Sequence, residues 1–190
     1  MGKETKIEIK ENYGFYDNLL KKRKSIFTQL ISISETGNNA NTLEKSLQIS
    51  HSELGSEIVL LVDVKVSNHN FFQFKLRCKD LSQVPFFRFD SDGDAHRNYD
   101  EDIPLSQQQI TTPHFHYFND SGINIAYKTP QLLDDVEKQA LEDINLCIKH
   151  FCHECNLRYS QDDFPDVEIL PGALKLKTIK DDPSSNVSFI

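Results

Sequence analysis

Five residues between positions 88 and 116 carry side chains of the kind that move protons and bind phosphate. His114 and His116 are two residues apart in the stretch TPHFHYF, so on a β-strand both imidazoles would project from one face. Arg88 and Asp90 have the same spacing in FFRFD. If these two strands are neighbours, the four side chains converge on one surface, and the loop between the strands supplies His96. The sequence therefore predicts a cluster of three imidazoles, one carboxylate and one guanidinium.

This cluster contains the groups needed for acid–base cleavage of a phosphodiester. Histidine exchanges a proton near neutral pH, so His114 and His116 would share the roles of general base and general acid. Arg88 would bind the phosphate and stabilise the negative charge that develops on it. Asp90 would orient one imidazole, and His96 would be a third acid–base group or a metal ligand.

The same residues leave a metal site open as an alternative. His96, His114, His116 and Asp90 together offer three nitrogens and one oxygen, a ligand set that suits Zn²⁺ or a similar divalent ion. A reading without chemistry also stays open, in which an acidic loop and two surface histidines are simply solvated. The sequence requires no cofactor. A divalent metal ion is the cofactor that this set of residues allows.

A calcium site is a weaker alternative in the same segment. Asp90, Asp92, Asp94 and Glu101 match loop positions one, three, five and twelve of an EF-hand. However, Ala95 stands at the sixth position, where the sharp turn needs glycine, and the flanking residues are typical of strands rather than helices.

The helices and strands expected around these residues indicate an α+β fold. We expect an antiparallel sheet of about five strands packed with two long helices, followed by an irregular C-terminal tail. The helices are expected over 15–34 and from Pro130 to about Cys155, where apolar residues recur at helical spacing. A short strand is expected over 3–10 and a loop over 35–55. The five strands are expected at 57–67, 71–78, 84–90, 112–118 and 123–128, the first two as a hairpin.

Composition limits the classes of protein that fit. The chain has 190 residues and a formal charge of −8, and 38% of its residues are hydrophobic, which is enough for a core. We expect one domain over 1–157 and the tail over 158–190. No apolar run is long enough to span a membrane or to act as a signal peptide, so a cytoplasmic protein without membrane association is expected. The glycine motifs of P-loop NTPases, dinucleotide dehydrogenases and α/β-hydrolases are absent from the sequence.

The four cysteines are too few for a disulfide scaffold. Cys152 and Cys155 have the spacing of a metal-binding pair, but a second pair is missing nearby. Cys147 and Cys155 also fit the apolar face of the second predicted helix, so we expect cysteines in the core.

A resemblance to a known family adds to this interpretation. The chain resembles small uncharacterised bacterial proteins with the core R-x-D-x-x-G-x-x-H-x-N … H-x-H … A-Y, classed as a domain of unknown function. The matching residues are Arg88, Asp90, Gly93, His96, Asn98, His114, His116, Ala126 and Tyr127. The resemblance implies a small bacterial or mobile-element protein and implies no activity. The His-x-His strand is also similar to that of small toxin–antitoxin toxins thought to act on RNA.

Two functions from different classes follow. The first is a small intracellular phosphodiesterase that acts on RNA or nucleotides in a defence or toxin–antitoxin setting, that is, a His-dependent ribonuclease or phosphodiesterase. The second is a non-enzymatic interaction protein, such as a phage-encoded one, that binds a basic protein partner through the acidic loop 90–102. The oligomeric state is not indicated by the sequence.

Overall fold

The structure is a computed structural model that describes residues 4–34, 41–99, 102–160 and 163–170. Its helices are α1 (Ile7–Glu11), α2 (Tyr13–Lys21), α3 (Pro130–Leu133), α4 (Asp135–Ala140) and α5 (Ile144–Glu154). Its strands are β1 (Lys24–Ser25), β2 (Leu30–Ser34), β3 (Thr42–His51), β4 (Ile58–Lys65), β5 (Asn68–Cys78), β6 (Phe87–Asp90), β7 (His96–Arg97), β8 (Gln109–Ile110), β9 (His114–Phe118), β10 (Asn124–Tyr127), β11 (Leu157–Arg158) and β12 (Asp166–Leu170).

One curled sheet of eight strands dominates the molecule, in the order β10-β9-β6-β5-β4-β3-β1-β11. Neighbouring strands are antiparallel except β1 and β11, which pair in parallel. The predicted hairpin is confirmed, with β4 and β5 paired across the turn at Val66 and Ser67. Two small sheets, β2 with β12 and β7 with β8, complete the described strands.

Alternation along the central strands gives the large sheet one apolar face. Phe74, Phe87 and Phe115 project from three neighbouring strands, and each of their rings packs against Phe151 of α5. Because successive residues of a strand point to opposite faces, the residues between these phenylalanines project away from α5. The face opposite α5 is therefore where the polar residues of β6 and β9 lie.

The expected fold class is wrong, because the molecule is mainly sheet and its helices are short. The first predicted helix ends at Lys21, and residues 24–25 and 30–34 are strands. The side chain of Lys24 is fully buried, and its Nζ donates to the carbonyl oxygens of Leu19, Leu20 and Lys22 at 2.6–3.0 Å. These bonds satisfy carbonyl oxygens at the C-terminal end of α2, which have no N–H partner within the helix.

The second predicted helix is divided into α3, α4 and α5. Asp134 and Asp143 interrupt it, since each carboxylate accepts hydrogen bonds from two backbone N–H groups that follow it, as an N-cap does. Leu133 and Val136 fit the helical spacing of apolar residues in this segment, yet their exposed fractions are 70% and 79%. Of these three helices, α5 buries four residues, α3 buries Leu132 alone and α4 buries none.

Three further segments differ from expectation. Part of the loop expected over 35–55 is the ten-residue strand Thr42–His51, while residues 35–40 lie outside the described residues. Part of the strand expected over 3–10 is the helix Ile7–Glu11, preceded by a single bridge between Thr5 and Ile123. In the expected irregular tail, Asp166–Leu170 pairs in parallel with β2, and residues 171–190 lie outside the described part.

The cysteines lie in the core, as expected. Cys78, Cys147, Cys152 and Cys155 are all buried and free of disulfides. Burial raises the pKa of the Cys155 thiol to about 12, so this sulfur stays protonated and acts as an apolar group. Among the described residues, no cysteine belongs to a group of three or more potential metal ligands.

Replacing Phe115 with alanine should destabilise the protein by about 3–5 kcal/mol, because its fully buried ring packs against Phe87, Phe89 and Phe151. Urea unfolding followed by circular dichroism measures the change. Phe27→Ala is the matched control, since that ring is 78% exposed and its loss should cost less than about 0.5 kcal/mol. Equal losses in the two variants would show that the phenylalanine cluster is not the main core.

Candidate functional site

Strands β6 and β9 are direct neighbours, as the predicted cluster required. Arg88 lies opposite His116 in the ladder, and Asp90 lies opposite His114. Side chains of directly opposed residues lie on one face of an antiparallel pair. The intervening pair, Phe89 and Phe115, projects to the other face and packs in the core.

Asp90, His114 and His116 meet in a buried group that we call the trio. Asp90 Oδ2 lies 3.1 Å from His116 Nε2 and 3.6 Å from His114 Nε2, and the two Nε2 atoms are 2.8 Å apart. All three residues are buried, so the alternative with two solvated surface histidines does not fit the structure. Buried titratable groups in such close contact must share protons or a cation.

Arg88 connects the trio to the surface. Its Nη2 atom lies 2.9 Å from Asp90 Oδ2 and 2.8 Å from His116 Nε2. About a third of the Arg88 side chain is exposed, and it lines a cavity beside the sheet. The guanidinium is therefore the cation that balances the buried carboxylate, and it is also reachable by a ligand.

His96 is brought to the cluster by a short hairpin formed from β7 and β8. Its ring meets that of His116 edge-on, with the centroids 4.9 Å apart. Asn98 fixes this segment to the edge of the sheet, because its side chain donates to the Ala126 carbonyl at 2.7 Å and accepts from the Ala126 N–H at 2.9 Å. Unlike the histidines of the trio, His96 lies at the wall of the cavity.

Asn124 is a member of the site that the sequence analysis did not identify. Its Oδ1 lies 2.7 Å from His116 Nδ1, and its backbone hydrogen-bonds His96. An amide side chain within the short strand INIAYK was the available signal. With Oδ1 as acceptor, His116 carries its proton on Nδ1, which leaves Nε2 free to accept from Arg88.

The cavity has a volume of about 520 Å³ and its walls carry more positive than negative charge. Lys6, Arg88 and Arg97 line it together with one carboxylate, that of Glu4, which forms an ion pair with Lys6. Tyr99 contributes an aromatic wall, and the Arg97 guanidinium lies over this ring at 4.8 Å from its centroid. The size is in the range of cavities that hold small ligands.

The segment that carries Lys6 is held against the turn at Gly122. The Lys6 N–H donates to the Gly122 carbonyl at 2.8 Å. Gly122 has φ +70°, and a Cβ at this position would collide with the Lys6 carbonyl oxygen. Glycine is therefore needed both for the turn and for the close approach of the cavity wall.

Comparison with protein families gives one match. The model of a family of unknown function (DUF6978) matches residues 15–157. The chain belongs to this family. No curated protein and no solved structure was found to match it. Every residue of the cluster lies inside the matched part of the chain, and the family supplies no activity to transfer to them.

Charge in the cluster is set by burial and by the neighbours of each group. Burial alone would raise the pKa of Asp90, but its close contact with His114 and the neighbouring Arg88 charge hold it well below its ordinary value. Burial lowers the pKa of His116, an effect that Arg88 increases and Asp90 opposes. Burial and the neighbouring His116 also lower the pKa of His96. At neutral pH, Asp90 is therefore ionised, and His96 and His116 are neutral.

The calcium alternative does not fit this geometry. Asp90 is turned into the sheet face, whereas Asp92 and Asp94 are exposed. The Asp92 carboxylate accepts a hydrogen bond from the Gly93 N–H at 2.8 Å, as in an ordinary turn. Glu101 lies outside the described residues.

Among the described residues, potential metal-ligating atoms of Asp90, His114 and His116 lie within 4.8 Å of one another, and the expected fourth ligand His96 is not part of this group. In the same part of the chain, none of the helices has the length and hydropathy needed to cross a membrane.

Asp90→Asn should lower the free energy of unfolding at pH 7 by about 3 kcal/mol, because it removes the carboxylate that pairs with Arg88 at 2.9 Å. A carboxyl whose pKa is lowered by folding stabilises the protein above its ordinary pKa of 3.8, and this stability is lost as the pH falls further. The difference between wild type and variant should therefore shrink below about pH 4. Urea titrations at several pH values measure it.

Asp94→Asn is the matched control, since this carboxylate is exposed in the same segment. It should change stability by less than about 0.5 kcal/mol at every pH. The difference in free energy of unfolding between wild type and Asp90→Asn could instead stay constant down to pH 3. That result would contradict the assignment of Asp90 as the ionised partner of Arg88.

Proposed function

We propose that this protein is a phosphodiesterase that acts on RNA or on a nucleotide in the cavity beside β6 and β9. The observation that supports this most directly is the charge of the cavity. The chain as a whole has a formal charge of −8, yet Lys6, Arg88 and Arg97 line one cavity next to the ring of His96. A local excess of cations in an acidic protein favours an anionic ligand of defined size.

A phosphodiester would enter with its phosphate on Arg88. The guanidinium offers paired N–H groups whose geometry matches phosphate oxygens, and its other contacts with Asp90 and His116 hold it in place. A base or sugar attached to the phosphate would then lie along Tyr99 and Phe118, which are also in the wall of the cavity. Stacking on an aromatic ring is the common way to hold an unpaired base.

His96 is the acid–base group in this proposal. Its neutral imidazole would take the proton of the attacking hydroxyl, either water or a ribose 2′-OH, as the new P–O bond forms. The resulting imidazolium would return a proton to the leaving oxygen as the other P–O bond breaks. Arg88 would stabilise the charge on the phosphate oxygens through the transition state.

His114 and His116 take different parts in this proposal from those expected from the sequence. Both are almost fully buried and neither lines the cavity, so they do not reach the reacting atoms. They are positioning residues. His116 contacts the ring of His96 and the guanidinium of Arg88, and His114 contacts His116 and Asp90.

The residue pattern noted in the sequence supports placing the function here. Arg88 and Asp90 contact each other and His116, and the ring of His96 packs against that of His116. Asn98 holds the segment that carries His96. A bacterial source and a role in defence or in a toxin–antitoxin pair stay predictions that rest on the resemblance.

The binding of a basic partner through the acidic loop is less favoured by the geometry. Asp90 of the loop 90–102 is buried in the cluster, and the Asp92 carboxylate accepts a hydrogen bond from the Gly93 N–H. Asp92→Asn combined with Asp94→Asn would test this alternative, because the double change leaves the cavity unaltered.

Arg88→Gln and His96→Gln should each reduce cleavage of a single-stranded RNA oligonucleotide at least about 100-fold, since they remove the phosphate contact and the acid–base group. A fluorophore–quencher RNA and bis(4-nitrophenyl) phosphate are the two substrates to be measured. Arg77→Gln is the matched control, because Arg77 is an exposed arginine on the neighbouring strand β5 and does not line the cavity. Full activity of His96→Gln on both substrates would exclude this mechanism.

The rate of cleavage should depend on pH through His96. A base whose pKa is lowered stays deprotonated to lower pH, so the acid limb should have its midpoint below the ordinary value of 6.5. The log of kcat/KM plotted against pH gives this midpoint. If the midpoint of the acid limb in the wild-type profile lies above pH 6.5, another group is the base. The same conclusion would follow if the His96→Gln profile kept an unchanged acid limb.

A further inference from the structure

The contacts around His116 Nε2 cannot all be favourable at once. Arg88 Nη2 can only donate and an ionised Asp90 Oδ2 can only accept, yet both lie within 3.1 Å of this nitrogen. A protonated Nε2 satisfies Asp90 and opposes Arg88, and an unprotonated Nε2 does the reverse. The proton arrangement set by Asn124 leaves the Nε2 lone pair facing the carboxylate oxygen. Lone pairs that converge in this way are arranged for a cation.

The spacing of the trio is that of metal ligands. The three distances between Asp90 Oδ2, His114 Nε2 and His116 Nε2 are 2.8, 3.1 and 3.6 Å. Ligands of a tetrahedral Zn²⁺ ion, at bond lengths near 2.0–2.1 Å, lie about 3.3 Å from one another. Small shifts of these side chains would therefore place all three atoms on one ion.

The second oxygen of the carboxylate is also available. Asp90 Oδ1 is buried and has no hydrogen-bond partner among the residues that the structure describes. The Asp90 side chain is only 9% exposed, so bulk water does not satisfy this oxygen. A metal ion bound through either or both oxygens would provide the missing interaction.

We propose that Asp90, His114 and His116 form a binding site for a first-row divalent metal ion such as Zn²⁺, and that Arg88 competes with the ion for this site. Two imidazoles and one carboxylate on one side of the ion leave its other positions open toward Arg88 and the cavity. Arg88 Nη2 contacts two of the three ligand atoms, so the guanidinium takes the place of the ion when none is bound.

Metal binding requires Arg88 to withdraw, and the structure gives it room to do so. A third of its side chain is exposed and it already lines the cavity. His96 lies on the same wall and outside the ligand group, so the ion would not need it. This metal site does not depend on the proposed cleavage of phosphodiesters.

Titration of chelator-treated protein with Zn²⁺ in a calorimeter tests the site. We expect one equivalent to bind, and Asp90→Asn and His114→Gln should each weaken binding more than about 100-fold, since each removes a ligand. His153→Gln is the matched control, because this exposed histidine on α5 lies outside the group. Circular dichroism shows which variants are folded.

Arg88→Gln separates this site from a purely hydrogen-bonded cluster and leaves the three ligands intact. Removing a cation this close to the ion should strengthen Zn²⁺ binding at least about tenfold. Failure of both wild type and Arg88→Gln to bind Zn²⁺ would overturn the proposal. Tight binding that survives Asp90→Asn and His114→Gln in folded protein would also overturn it.

Two further readouts make the outcome specific. Co²⁺ bound at this site should give an absorption spectrum of nitrogen and oxygen ligands, and intense sulfur charge-transfer bands would instead assign the ion to cysteine and overturn the proposal. His96→Gln should lose RNA cleavage and keep its affinity for Zn²⁺. Failure of the phosphodiesterase proposal and failure of the metal site are therefore distinguishable.

Discussion

The pairing of β6 with β9 is the constraint on which the fold and the site both depend. Phe89 and Phe115 face each other on one side of this ladder, and Asp90 faces His114 on the other. Because side chains alternate strictly along a strand, a shift of β9 by one residue against β6 would exchange its two faces. The imidazoles of His114 and His116 would then enter the phenylalanine core. Burial of the aromatic rings against α5 therefore fixes the positions of the polar groups on β6 and β9.

Arg88 links the buried part of the cluster with the cavity. On one side it neutralises Asp90, which would otherwise be an isolated charge in the protein interior. On the other side it offers positive charge to a ligand in a cavity that Lys6 and Arg97 also line. A ligand that draws the guanidinium outward leaves the carboxylate in need of another cation, so occupancy of the cavity and the state of the trio are linked through this one side chain.

The cluster could be predicted from the sequence because its residues repeat with the period of a strand. Arg88 and Asp90, and likewise His114 and His116, are separated by single phenylalanines that a buried face requires. The helices were not predictable in the same way. Ile31 and Ile33 fit either a helical stripe or alternation, and the structure uses them as the buried residues of β2. Strand β3 carries Ser, Lys and Gln among few apolar residues, so its local sequence resembles a loop and its pairing with β4 decides its conformation.

The cavity could not be predicted, because its walls come from segments far apart in the chain. Lys6 reaches it through the close approach at Gly122, Arg97 through the β7–β8 hairpin, and Asn124 through the edge strand. None of these residues has a motif that marks it. They come together because Lys6 bonds to the turn at Gly122 and Asn98 bonds to Ala126, contacts that belong to the tertiary structure.

A cluster of this composition is a poor way to stabilise a sheet. Taking Asp90, Arg88 and two imidazoles out of water costs free energy that their mutual contacts recover only in part, and apolar residues of similar size commonly do as well or better at such positions. The buried atoms Asp90 Oδ1, Arg88 Nε and His114 Nδ1 have no hydrogen-bond partner in the described part of the chain, which adds to this cost. The same side chains stand directly behind the cavity and carry its charge. Their arrangement is thus better explained by what they bind than by what they contribute to the stability of the fold.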